Sequence, residues 1–195
     1  MTLFSIAIIL FLIMDPFGNI SSFLNLMQDI PPKRRRFIVI REMLIALGAM
    51  VIFNYLGDIL SHLLEISKTS LQLTSGVILF LVAIKILFPS PDSLRANLPR
   101  GEPFITPLAI PLVAGPSLLA TIMLISQIEP SSLVMLGAIL LAWAAAVAII
   151  LCGGTLQRVL TTNGLNACER LMGMILIMVA IQRFLEGIQD FVKLQ

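Results

Sequence analysis

The chain has 195 residues, of which 58% are hydrophobic and 12% charged, and its mean hydropathy is +1.01. A water-soluble domain carries roughly 25% charged residues, so most of this surface must meet something other than water, and several membrane-spanning helices are required. That excludes a soluble enzyme, a disulfide scaffold and a disordered tail, and the continuous apolar runs exclude a transmembrane β-barrel, whose strands alternate. Thirteen Lys+Arg against eleven Asp+Glu give no field for a nucleic-acid partner. Cys152 and Cys168 suggest neither a disulfide nor a metal pair. His62 is the only histidine, so no His-cluster metal site and no cofactor are expected.

A span needs about 20 apolar residues, and six are predicted: 3–27, 37–60, 71–88, 105–128, 133–153 and 168–188. The first lacks a basic leader and a small-residue cleavage site, so it reads as a retained span. Asp15 lies midway along it, where a carboxylate costs several kcal/mol unless paired, hydrated or protonated. Pro16 removes a backbone donor and Gly18 loosens the chain. Asn19, Ser21 and Ser22 add polar groups. Together they predict a broken helix facing protein or a water-filled cavity. Asp15, Asn19 and Ser22 are candidate substrate or proton ligands; the alternative for Asp15 is a structural cap on the break.

The following loop carries Lys33, Arg34, Arg35 and Arg36, read as a topology anchor. Arg41 and Glu42 open the second span and are expected to form an interfacial ion pair. Thr74-Ser75-Gly76 opens the third span, where small residues suit close packing. Lys85 and, in the last span, Arg183 are expected to snorkel. Residues 89–104, with Pro89, Pro91, Pro99 and Pro103, form the only candidate linker. The fourth span repeats the break of the first. Pro107, Pro111 and Pro116 interrupt it beside Gly115. Ser117 opens a second half-helix as an N-cap or first-turn residue, and Thr121 follows one turn later; both join the candidate ligands. The fifth span holds Trp143 among alanines and no ionisable group, which predicts a packing helix. Basic residues concentrate in the odd-numbered loops, so those face the cytoplasm and both termini face outward.

Two stretches match at a nearly constant offset. Pro116 follows Pro16 by one hundred residues. Gly76-Val77-Ile78-Leu79, continuing to Val82-Ala83-Ile84, matches Gly173-Met174-Ile175-Leu176, continuing to Val179-Ala180-Ile181, ninety-seven residues on. Residues 1–88 and 105–195 therefore read as two three-span repeats. An odd number of spans per half inserts the second upside down, an arrangement common among secondary transporters. The predicted fold is all-α, one transmembrane domain of two inverted repeats with helices 1 and 4 broken. The half-helices beginning at Phe17 and Ser117 would then aim positive ends at one midplane region.

Asp15-Pro16-Phe17-Gly18-Asn19, Pro32-Lys33-Arg34-Arg35-Arg36, the run Pro107-Leu108-Ala109-Ile110-Pro111-Leu112-Val113-Ala114-Gly115-Pro116, and Glu169-Arg170-Leu171-Met172-Gly173 resemble the MarC family of integral inner-membrane proteins. The likeness covers essentially the whole chain. It implies a six-span bacterial inner-membrane protein akin to lysine-exporter-like transporters, and it delivers no substrate. Many relatives carry Asn-Pro in place of Asp15-Pro16, a departure that bears on whether a carboxylate is needed there.

The function expected is secondary transport or export of a small polar, amino-acid-like metabolite, with the lipid bilayer as the other partner and homo-oligomerisation left open. The alternative is a non-transporting structural or scaffold protein. An enzyme is not expected: there is no nucleophile elbow or metalloprotease motif, and Asp15 lacks a second intramembrane carboxylate in the repeat.

Overall fold

The computed structural model describes residues 2–26, 30–64, 67–88, 113–129 and 131–193. Its seven helices are α1 (Leu3–Met14), α2 (Pro16–Leu26), α3 (Pro32–Leu64), α4 (Lys68–Leu87), α5 (Pro116–Ile128), α6 (Ser132–Leu151) and α7 (Gly153–Lys193). No strand occurs among the described residues. Large outward-facing side chains are themselves apolar, among them Phe4, Phe37, Leu44, Ile52, Leu133 and Met178. In water such a surface would aggregate; against lipid tails it is solvated.

Five stretches are long and apolar enough to cross a bilayer: Leu3–Ile20, Arg34–Gly57, Thr69–Leu87, Ser132–Leu151 and Asn163–Val192. The predicted fourth span corresponds to α5, a shorter apolar helix of 13 residues. Its expected first half, 105–112, and the linker before it lie outside the described residues, as do Pro107 and Pro111.

Local chemistry sets the ends. Thr2, Ser67 and Ser131 stand at N-caps, their hydroxyls accepting from the N–H groups of Ser5, Ser70 and Val134. α7 bends at Thr161, whose φ of 57° and ψ of 173° are non-helical. A β-branched residue at positive φ is strained, and here it separates an eight-residue segment from the last span.

Glycines register the packing. Without a hydrophobic driving force between helices in lipid, close backbone approach carries much of the association. A Cβ on Gly137 would meet the Leu3 side chain, and one on Gly153 the Ile20 side chain. The α1–α2 pair therefore runs parallel to α6. The Trp143 Nε1–H donates to the Met43 carbonyl at 2.7 Å, while Val39 and Ile150 line one cavity, so α3 runs antiparallel to α6. A Cβ on Gly57 would fall 2.9 Å from the Met123 backbone of α5. In the α4–α7 pair, Gly76 lies against Phe184 and Gly173 against Leu87, an antiparallel contact. The core between these helices contains Leu10, Met43, Met50, Ile122, Ile139 and Leu176.

Candidate functional site

The break in the first span is built around Asp15. Pro16 has no N–H, so Leu12 loses its usual i+4 donor. The Asp15 N–H bonds instead to both Phe11 and Leu12 carbonyls, at 3.2 and 3.3 Å. Asp15 adopts φ 43° and ψ 62°, left-handed geometry that Asp tolerates better than most residues. The turn brings its carboxylate to the start of α2, where Oδ1 accepts the Gly18 N–H at 3.1 Å. In an unbroken helix that N–H would have gone to the Met14 carbonyl, which the Asn19 side-chain amide takes over at 2.8 Å. Asp15 and Asn19 are each 1% exposed. This fixes the Asn19 amide's orientation and leaves its Oδ1 buried with no hydrogen-bond partner among the described residues.

The start of α5 is made differently. Gly115 is the N-cap of α5, with extended φ −68° and ψ 159° and no side-chain cap. Pro116 fills the first helical position, where a missing N–H costs nothing. Ser117 therefore sits in the first turn, and its carbonyl accepts from the fully buried Thr121 hydroxyl at 2.8 Å. Hydrogen bonds thus tie Asp15, Gly18 and Asn19 into one unit and Ser117 and Thr121 into another, and α1 packs against α5. The Ser22 side chain and Pro111 lie outside what is described.

Other expectations resolve as follows. The Thr74 and Ser75 hydroxyls donate to the Ser70 and Gln72 carbonyls of their own helix. Arg183 pairs with Glu186 at 3.5 Å, and Gln182 also bonds Glu186. The Arg41–Glu42 pair forms at 2.7 Å. Glu42 is 0% exposed, because α5 and α6 both pack against α3.

The burial of Glu42 was not foreseen, and Asn54 was not singled out from the sequence. Glu42, Ala46, Met50 and Asn54 recur every fourth residue on α3 and are all buried, forming one ridge. Glu42 Oε2 and Asn54 Oδ1 have no hydrogen-bond partner among the described residues. The four-residue spacing was visible; that this ridge faces other helices and not lipid was not. No group of three His, Cys, Asp or Glu side chains that could hold a metal ion occurs among the described residues.

Long apolar helices, with polar groups buried at a break inside one of them, define a polytopic membrane protein. The chain belongs to the MarC family of integral membrane proteins, which it matches over residues 1–192. It is 47% identical over 191 residues to the UPF0056 inner membrane protein YhgN of Escherichia coli (strain K12), covering 97% of each chain. It is 44% identical over 191 residues to a UPF0056 membrane protein of Buchnera aphidicola subsp. Baizongia pistaciae, covering 96% of each. It is 30% identical over 190 residues to one from Chlamydia pneumoniae, covering 95% of this chain and 93% of that one. No solved structure matches.

Proposed function

We propose that this protein is a secondary transporter of the bacterial inner membrane, exporting a small polar, amino-acid-like metabolite through a site between two inverted three-span halves. The observation that carries this reading is the break at Asp15–Pro16. It holds a carboxylate, and an amide oxygen with no hydrogen-bond partner among the described residues, inside an apolar helix, an expensive arrangement for a purely structural span. Asp15, Asn19, Ser22, Ser117 and Thr121 are the proposed substrate or proton ligands. Pro16, Gly18, Pro111, Gly115 and Pro116 form the breaks. Two contacts support the inverted halves: Gly76 with Phe184 and Gly173 with Leu87 interchange under the ninety-seven-residue offset, as a pseudo-two-fold axis requires. The relatives' inner-membrane naming supports the location.

The test is efflux from proteoliposomes loaded with mixed amino acids, followed by mass spectrometry. Release above protein-free vesicles is expected, and release equal to theirs overturns the reading. Asp15→Asn keeps the cap and removes the charge; loss of pH-driven flux would make Asp15 a proton carrier. One observation favours the structural reading of that residue: its carboxylate already caps Gly18. Unchanged flux in the variant would assign Asp15 to the fold. The orientation, with both termini outside, predicts that cysteines placed at Thr2 and Gln195 react with an impermeant reagent added outside, whereas one at Arg35 does not.

A further inference from the structure

Glu42 lies outside the two breaks. Its side chain is completely buried. Arg41 spends two donors on one oxygen: Nε at 2.9 Å and Nη2 at 2.7 Å both reach Oε1. Oε2 is left with no hydrogen-bond partner among the described residues. A buried carboxylate oxygen without a donor carries the full desolvation penalty of that group. The helices that enclose it offer no ionic partner, since α5 and α6 contain no Asp, Glu, Lys, Arg or His. The nearby indole is committed elsewhere, to the Met43 carbonyl.

The depth of Glu42 is set by its neighbours. Met43 meets Trp143, and Val39 shares a cavity with Ile150, so Glu42 stands opposite the 143–150 segment of α6. Asp15 falls between Leu3, which meets Gly137, and Ile20, which meets Gly153. By helical rise it stands opposite the same segment. Two carboxylates from different helices therefore share one level of the bundle, and Oε2 of Glu42 stands there without a donor among the described residues. The charged groups around that level are Arg41, with Arg35 and Arg36 one to two turns back on α3, and Asp15 at the α1–α2 break.

We propose that Glu42 Oε2 is a binding site for an alkali-metal cation. The chemistry is positive charge placed on an oxygen that Arg41 does not reach. The site is independent of whether the protein moves a metabolite, so its test uses binding and not flux. Purified full-length protein in detergent is melted in sodium, potassium and choline chloride at equal ionic strength. A higher melting midpoint in sodium or potassium than in choline is expected. That difference should vanish in Glu42→Gln and persist in Asp15→Asn. Arg41→Gln keeps the carboxylate and frees Oε1 from its competing cation, so it should tighten cation uptake roughly tenfold; this decides the matter even where Glu42→Gln fails to fold. The proposal is overturned if the wild type melts alike in all three salts, if the difference survives in Glu42→Gln, if it is lost in Asp15→Asn, or if Arg41→Gln leaves the affinity unchanged.

Discussion

The helix break at Asp15 and the start of α5 are built in two ways. Each places a proline at the first position of a helix inside an apolar run, one hundred residues apart. At the first, α1 runs directly into α2 through a single left-handed residue, and the Asp15 side chain supplies a cap to the helix start. At the second, Gly115 enters extended and supplies no side-chain cap. The difference teaches that a helix break can be made self-sufficient or left open. A capped positive end is already compensated, whereas an uncapped one retains donors and partial charge for something else.

The largest expected effect breaks the first device. Asp15→Ala forces alanine into left-handed geometry and removes the cap, so chemical denaturation in detergent should show a loss of about 2–3 kcal/mol. Gly115→Ala, in extended backbone that any residue adopts, should cost no more than a few tenths of that scale. Equal losses would mean that the two breaks are energetically alike. Next come the reciprocal glycines. A Cβ on Gly76 would sit 2.8 Å from the Phe184 backbone nitrogen, while one on Gly173 would sit 2.9 Å from a Leu87 side-chain carbon. Side chains can yield and backbone cannot, so Gly76→Ala should lower stability by about 1–3 kcal/mol and Gly173→Ala by distinctly less. The reverse order of melting temperatures would contradict the packing described.

Smaller effects sharpen the contrast. Gly115→Ser gives α5 the hydroxyl cap it lacks and should raise stability by about 0.5 kcal/mol. If the open helix end serves transport, flux should fall in the same variant, so stability and flux would move in opposite directions. Asp15→Asn should change stability by less than about 0.5 kcal/mol, because Asn caps as well as Asp and also tolerates left-handed geometry. A large loss in its melting midpoint would show that the charge itself holds the break together.

The break at Asp15 and the helix start at Pro116 were legible because the signal is local. Proline removes its own N–H wherever it stands, and in an apolar run nothing nearby replaces the lost bond. Thus Asp15, Asn19 and the Gly115–Pro116 start were identifiable from neighbours within a turn. Glu42 was not. Beside Arg41 and shortly after a basic run, it reads as part of an interfacial cluster, since local sequence cannot say which helices close over it. Arg183 is similar: its bond to Glu186 depends on side-chain geometry along α7.

The sequence by itself determined that the chain spans a membrane, roughly where its helices run, and where the first of them breaks. These follow from transfer free energies and backbone donors counted along the chain. Only the tertiary structure decided which faces look inward. The four-residue ridge from Glu42 to Asn54 is buried because α5 and α6 pack on it, and in a span that is apolar nearly all round, sequence periodicity does not distinguish lipid from protein. The indole of Trp143 reaches Met43 across one hundred residues. A bond of that kind exists only once the helices have chosen their partners, and with it the burial of the carboxylate next to it.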